Sequence, residues 1–377
     1  FNQLILSHPD SEFSDDALYE QAGMAFEQGN YQESINYLTK LIDFYPESPL
    51  MPQTLKMAAD NWIGLEDYDQ ALTFLNLIQN APPELQQEVI FKKGWCSFQL
   101  GRYAEASQNL QQYLREFAVG TELEAEVQYW LGEALYNEGR FEDAISAYRE
   151  YIQAHPNHEY VNDARYGIAW SHFQLNQYNE AITAFTELSE RSDDPLYRSD
   201  AFLRKADAYF TRKEYGQALT FYRRYLEVFP NGKEREWANF QTGMCFLKQE
   251  KYREARAQFQ LLLRNDRRGE YDENAHYLIG RSYFMENDFD RAITTYKEFV
   301  QTFKQSDLLP RVYYELGDSF YNKKDFRAAM VWYEDVIKNY PDSPVLGEAI
   351  NGLQWSAMQM GQVEQAFAVA DKYIKNN

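Results

Sequence analysis

The chain repeats itself every 37 residues, and that period restricts its fold more than any other feature. An aromatic residue marks the same place in successive copies, at Tyr31, Tyr68, Tyr103, Phe141, Tyr178, Tyr215, Tyr252, Phe289 and Phe326, with Val363 closing the series. The intervals are 37, 35 and 38 residues and then six times 37. Three residues beyond each marker stands a small residue, Ser34 in the first copy and alanine in the others, from Ala71 to Ala366. Nine residues before it stands Ala22, Ala59, Gly94, Gly132, Ala169, Ala206, Gly243, Gly280 or Gly317, with Gln354 the exception. Small residues at fixed places let helices approach closely, and a period of this length is the signature of a stacked array.

One copy, residues 121–156, shows what is stacked. Thr121 with Glu124 reads as a capping box opening a helix, in which Val127, Tyr129, Trp130, Leu131, Ala134 and Leu135 recur at helical spacing. Gly139 suits the left-handed residue that ends many helices. A second helix runs from Phe141 with Ala144, Ile145, Tyr148, Tyr151 and Ile152 until Pro156 stops it. Such a hairpin cannot bury its apolar faces alone and needs copies on both sides.

In this copy Leu131, Gly132, Tyr136, Phe141, Ala144, Tyr148, Tyr151 and Pro156 follow the tetratricopeptide repeat pattern, and the chain resembles that family over its whole length. The resemblance implies an all-α fold, a right-handed superhelical α-solenoid of antiparallel helix pairs. The expected organisation is the end of a preceding repeat over residues 1–13, then a single solenoid of ten full repeats over residues 14–377. His8-Pro9-Asp10-Ser11 lies one period before Pro46, and the next boundary proline would fall just past Asn377, so the segment reads as part of a longer array. The period exceeds the family's usual ~34 residues. The extra residues follow the proline that ends the second helix, and they are expected to lengthen the first helix of the next pair, with Ser48-Pro49 and Ser343-Pro344 as N-cap and first helical position. Boundaries such as Tyr45-Pro46-Glu47-Ser48 and Tyr340-Pro341-Asp342-Ser343 are similar to those in long repeats of bacterial envelope proteins, such as the BamD lipoprotein and the periplasmic CpoB protein.

Charge is unevenly distributed. The net charge is -21, and residues 1–190 hold 9 Lys+Arg against 30 Asp+Glu, whereas residues 191–377 hold 28 of each. A basic cluster in the seventh repeat, Arg253, Arg256, Arg264, Arg267 and Arg268 with Lys248 and Lys251, reads either as a solvated helix face or as a polar docking patch. An isoelectric point near 4.7 argues against nucleic acid, because an acidic chain repels phosphate. A mean hydropathy of -0.65 and the lack of an 18-residue apolar run argue against a membrane-spanning segment here.

Chemistry-bearing motifs are sparse. The sequence holds no GxGxxG, P-loop, GxSxG or HExxH, and His155-x-x-His158 has metal-like spacing without a clear third ligand. Cys96 and Cys245 occupy the same place four repeats apart, too far for a disulfide, and read as buried thiols. No enzyme activity, metal or cofactor is therefore expected.

The resemblance directs attention to the first helix of each pair, which in this family lines a concave groove. Twelve residues before the marker stand Tyr19, Lys56, Phe91, Tyr129, Tyr166, Leu203, Phe240, Tyr277, Tyr314 and Asn351, and eight before it Trp95, Trp170 and Trp355. These aromatics are the candidate groove lining, since tyrosine and tryptophan suit surfaces apolar at one end and polar at the other. A third column, five before the marker, reads as core. Aromatics and acids where co-chaperone relatives carry basic residues argue against a carboxylate clamp. The leading expectation is a non-enzymatic scaffold that binds protein partners, peptide or domain, in a bacterial envelope assembly or secretion system, periplasmic or outer-membrane-associated. Two others stay open: a periplasmic solenoid binding polysaccharide in an exopolysaccharide export system, and a structural subunit that assembles end to end.

Overall fold

The computed structural model describes residues 13–79, 81–117, 120, 123–264, 269–362, 364 and 368. Among them every regular element is an α-helix, nineteen in number, and there is no strand. The chain divides into two compact units, Phe1–Leu188 and Ser189–Asn377. The first holds α1 (Ser14–Glu27), α2 (Tyr31–Phe44), α3 (Met51–Gly64), α4 (Tyr68–Leu77), α5 (Pro83–Gln99), α6 (Tyr103–Glu116), α7 (Glu124–Asn137), α8 (Phe141–Ala154) and α9 (Val161–Gln174), and the boundary falls in the last turn of α10 (Tyr178–Arg191). The second holds α11 (Pro195–Thr211), α12 (Tyr215–Val228), α13 (Arg235–Lys248), α14 (Tyr252–Leu262), α15 (Asp272–Met285), α16 (Phe289–Thr302), α17 (Leu309–Asn322), α18 (Phe326–Asn339) and α19 (Leu346–Gln359). Odd-numbered helices are the first of each pair and even-numbered helices the second. Within each unit consecutive helices pack in order, hairpin upon hairpin. No helix among the described residues is long and apolar enough to cross a membrane.

The aromatic marker is the first residue of every even helix, and its ring packs on the residue five before it across the turn. Ring centroids are 5.7 Å apart for Phe26 and Tyr31, 5.4 Å for Tyr136 and Phe141, 5.3 Å for Phe210 and Tyr215, and 5.2 Å for Tyr321 and Phe326. The third aromatic column is thus a packing column. The alanine three residues past the marker is fully buried from Ala71 through Ala329.

Every turn inside a pair places the residue two before the marker at positive φ. Glycine does this at Gly29, Gly101, Gly139 and Gly361, but Glu66, Asn176, Lys213, Glu250, Asn287 and Lys324 do it too. The conformation is imposed by closure of the helix end. The next N–H reaches back five residues, as in Asn30 N to Ala25 O at 2.9 Å and Glu214 N to Tyr209 O at 3.0 Å. An L side chain there is strained by ~1 kcal/mol or more, and glycine recovers part of this after its own entropy loss. Lys213→Gly, Glu250→Gly and Lys324→Gly, all at exposed sites, are expected to add a few tenths to ~1 kcal/mol each. The check is the urea midpoint of the triple variant; a fall would show that the side chains do more than tolerate the turn.

The extra residues of the repeat are used in two ways. In most copies the first helix is not lengthened: α3 begins at Met51 and α19 at Leu346, not at Pro49 or Pro344. Ser48 and Ser343 instead cap a corner. Their Oγ atoms accept from the backbone of Leu50 at 3.2 Å and Val345 at 3.3 Å, while Ser48 N donates to Tyr45 O and Met51 N to Ser48 O. Among the described residues only α5 and α11 reach 17 residues, each with proline as its first residue, and both follow corners without the aromatic-proline motif. The Thr121 half of the expected capping box lies outside the described residues, as do residues 1–12. Glu124 accepts from Gly120 N at 2.5 Å. Cys96 and Cys245 are free and buried, and burial pushes both thiols up to about 12.

Candidate functional site

Positions eight and twelve before the marker are four residues apart and therefore share one face of each odd helix. Between adjacent odd helices this face receives the side chain seven residues past the marker on the even helix, leucine in the first three copies and an aromatic ring from Tyr148 to Tyr333. Tyr148 is the fullest case. It is 0 % exposed, and a Cβ added at Gly132 would stand 2.5 Å from its ring, one at Gly167 2.6 Å. Two glycines on neighbouring odd helices thus make the slot that the ring occupies. Tyr333 sits in the same way between Gly317 and Gly352.

The hydroxyls of these rings serve a row of carboxylates, Glu315 buried and Glu133, Asp207 and Asp318 half-buried. Tyr148 donates to Glu133 at 2.7 Å, Tyr222 to Asp207 at 2.5 Å, Tyr333 to Asp318 at 2.6 Å, and Tyr296 to Glu315 at 3.3 Å. Burial raises the pKa of all four acids, and the tyrosine bonds to Glu133, Asp207 and Asp318 partly oppose it. Sequence reasoning missed this row. A signal was present, because Glu133, Asp207 and Asp318, eight before the marker, are each matched by tyrosine seven past it, whereas Trp95, Trp170 and Met244 are matched by Leu110, Phe185 and Phe259; Asp60 with Leu75 and Arg281 with Tyr296 are the exceptions.

Basic side chains attend most of these acids. Asp60 holds the same position in the second repeat, opposite Leu75 rather than a tyrosine, and Lys56 and Lys92 hold it at 3.1 and 2.6 Å. Arg204 bridges Asp200 at 3.0 Å and Asp207 at 2.6 Å. Arg281 reaches Glu315 through the Tyr277 hydroxyl, at 3.1 and 3.0 Å, and Arg311 lies near enough to stabilise the charge of Glu315 and Asp318. At Glu133 the groups that act on the carboxylate are the Tyr148 and Tyr129 hydroxyls and Asp163, whose charge opposes it further.

The aromatic candidates fall into distinct environments. Phe91 and Trp95, half-buried, line a cleft of about 520 Å³ with Ile63, Glu84, Glu88 and Lys92. Tyr166 and Trp170, also half-buried, line one of about 410 Å³ between α7 and α9 with Tyr129, Glu133, Tyr136, Asp163 and Gln174. Tyr129 is only 7 % exposed and stacks on Tyr160 at 4.4 Å, so its ring is core and contributes an edge to the cleft. Tyr277, equally buried, is corrected from groove lining to packing, because its hydroxyl is shared between Arg281 and Glu315. Phe240 lies half-buried against Tyr271 at 5.2 Å and Phe259 at 5.7 Å. Tyr314 lies half-buried against Tyr333 at 6.0 Å and bonds Asp318. Tyr19 is half-buried near Lys56, and Trp355 is 57 % exposed.

The basic patch separates as well. Arg256 is not a docking residue. It is 9 % exposed, reaches from α14 to Ser282 at 3.3 Å and Glu286 at 2.5 Å, and lies 4.1 Å over the Tyr283 ring, fastening the seventh repeat to the eighth. Its aliphatic run and guanidinium are used internally. Arg253 and Arg264 are exposed, whereas Arg267 and Arg268 lie outside the described residues.

Comparison with known proteins agrees with the helical pairs. Two tetratricopeptide repeat family models match, one over residues 91–159 and 241–307 and the other over 16–48 and 311–343, together more than half of the chain. A model described as an outer membrane lipoprotein matches residues 161–251. No curated protein matches. Among solved structures, a tetratricopeptide repeat protein from Parabacteroides merdae is 16% identical, with 71% of this chain and 98% of that one covered and a TM-score of 0.47. The C-terminal part of a repeat-containing protein from Cytophaga hutchinsonii is 17% identical, covering 77% and 96%, also at 0.47. Human IFIT1, in a dimer with m7Gppp-AAAA, is 15% identical, covering 98% and 92%, at 0.40.

Proposed function

Since the chain belongs to the tetratricopeptide repeat family, we propose that it is a non-enzymatic scaffold that holds protein partners on the face of its odd-numbered helices, within a bacterial cell-envelope assembly. The observation that carries this reading is the pair of clefts on α5, α7 and α9. Phe91, Trp95, Tyr166 and Trp170 there present large, half-buried rings beside carboxylates, with cavity volumes of about 520 and 410 Å³. Rings anchored on rigid helices bury much area at little entropic cost, which is the composition of interface hot spots. Support for the envelope setting is the outer membrane lipoprotein model over residues 161–251, together with the boundary motifs.

Photo-crosslinking tests the reading. A benzophenone amino acid at Phe91 or Trp170 is expected to give discrete adducts with a separate protein in intact cells, and one at exposed Thr183 on α10 to give few. Equal yields at all three sites, or none, would place binding elsewhere.

A further inference from the structure

We propose that the cleft between α7 and α9 receives the lysine or arginine side chain of a partner polypeptide, a basic group that the chain itself supplies at the other carboxylate rungs. The inference rests on the scaffold reading and names the chemistry of the partner. Its basis is a comparison of equivalent positions within the molecule. Eleven residues before the marker, on the odd helix, Lys92 holds Asp60, and Arg204 spans Asp200 and Asp207. At Glu315 the polarity is reversed, the acid occupying that position and Arg281 answering from the preceding odd helix through Tyr277. In the fifth repeat the position is Gly167 and in the tenth Gly352, but Asp318 has Arg311 on its own helix to stabilise its charge, where the fourth repeat carries Glu126 instead. Gly167 admits the Tyr148 ring and extends no charge toward Glu133, and the space above it is the open cleft of about 410 Å³.

What lines that space is the chemistry of cation recognition. Glu133 is held in place by Tyr148 and Tyr129, so the carboxylate is fixed before any ligand arrives. Asp163, which occupies the same place in its repeat as Asp200, lines the same cleft. Tyr166 and Trp170 provide ring faces, and a cation between aromatic faces and carboxylates gains from both. Burial and then the charge of Asp163 make Glu133 costlier to ionise, and a cation between the two carboxylates relieves it. The surrounding field acts in the same direction, since residues 1–190 carry 30 acidic against 9 basic side chains and attract basic segments from a distance.

The probe is a fluorescein-labelled octapeptide with lysine or arginine at alternate positions, compared with its acetyl-lysine analogue and with cellohexaose as a neutral saccharide. The charged peptide is expected to bind saturably at low ionic strength, and Glu133→Gln with Asp163→Asn to weaken it ten-fold or more. Gln at 133 still accepts from Tyr148, so that pair preserves the fold, and circular dichroism verifies it. Trp170→Phe, which keeps a ring, is expected to weaken binding a few-fold. Glu142→Gln with Asp143→Asn, on exposed α8 positions, removes the same formal charge and is expected to change the affinity less than two-fold. Equal losses from the two pairs would mean diffuse attraction and overturn the assignment. If the acetylated peptide binds as well as the charged one and both depend on Trp170, the cleft holds peptide without a cation, and this inference falls while the scaffold reading stands. If no peptide binds and cellohexaose binds in a Trp170-dependent manner, both fall. Self-association abolished by Glu133→Gln with Asp163→Asn would make a second copy the occupant and would also overturn it.

Discussion

Asp207→Ala is expected to destabilise the Ser189–Asn377 unit by about 3 kcal/mol, the lower end of the cost of removing one partner from a buried ion pair, since this hydrogen-bonded pair is largely but not fully buried. Asp207 is the meeting point of three helices. Its Oδ1 accepts from the Tyr222 hydroxyl of α12 at 2.5 Å and from the indole Nε1 of Trp237 on α13 at 3.2 Å, while Oδ2 accepts from Arg204 on its own helix at 2.6 Å. The carboxylate side chain is 15% exposed and that of Arg204 20%. Alanine leaves the fully buried Tyr222 hydroxyl and the indole N–H without these acceptors, each a loss of roughly 1–3 kcal/mol, while the Arg204–Asp200 pair remains. Asp207→Asn keeps an acceptor oxygen for Tyr222 and Trp237 and loses only the charge, so about 1–2 kcal/mol is expected. Because repeat arrays open locally rather than in one step, the measurement is amide exchange across α11, α12 and α13 beside urea unfolding. If asparagine costs as much as alanine, the charge and not the bonding network holds the rung.

What could be read from the sequence follows from how each feature is encoded. The helix pairs were legible because small and aromatic residues recur at a fixed period, and stacking leaves a repeat few other ways to bury them. The turn residue was legible only where it is Gly29, Gly101, Gly139 or Gly361. At Lys213 or Glu250 tertiary closure overrides local preference, and nothing local announces a left-handed residue. Helix starts failed for a similar reason: Ser48-Pro49 has the chemistry of an N-cap, but the aromatic-proline corner uses the serine two residues earlier than a helix would.

The inner face was harder to read, because burial there depends on the neighbouring repeat. Tyr129 and Tyr166 hold the same position in consecutive copies, yet the first is buried against Tyr160 and lends the cleft only an edge, while the second is half-exposed along it. Arg256 looked like surface charge because a single repeat does not reveal that Glu286 and Tyr283 of the next one lie over it. The carboxylate rungs required two columns to be compared at once, eight before and seven after the marker, together with the glycine that makes room between them.

That three-way dependence gives the other large expected effect. Tyr148→Ala removes a fully buried ring, a change that typically costs about 3–5 kcal/mol, and takes from Glu133 the donor at 2.7 Å. Tyr148→Phe isolates the second part: the slot stays filled, Tyr129 still donates to Glu133, and about 1–2 kcal/mol is expected. Gly167→Ala attacks the same contact from the other side. Its Cβ would meet ring atoms at 2.6 Å, and a ring wedged between two helices has no room to yield, so about 1–3 kcal/mol of overpacking is expected, against up to ~1 kcal/mol gained from alanine's helix propensity. In the Tyr148→Ala background the sign should reverse. With the ring gone, the new methyl enters empty space, the propensity gain remains, and Gly167→Ala should stabilise. A double-mutant cycle read by urea unfolding and by exchange in α7 to α9 measures this coupling. Additive losses would mean that ring and glycine do not share the slot, and the account of why the fifth repeat carries glycine in place of a basic side chain would lose its structural footing.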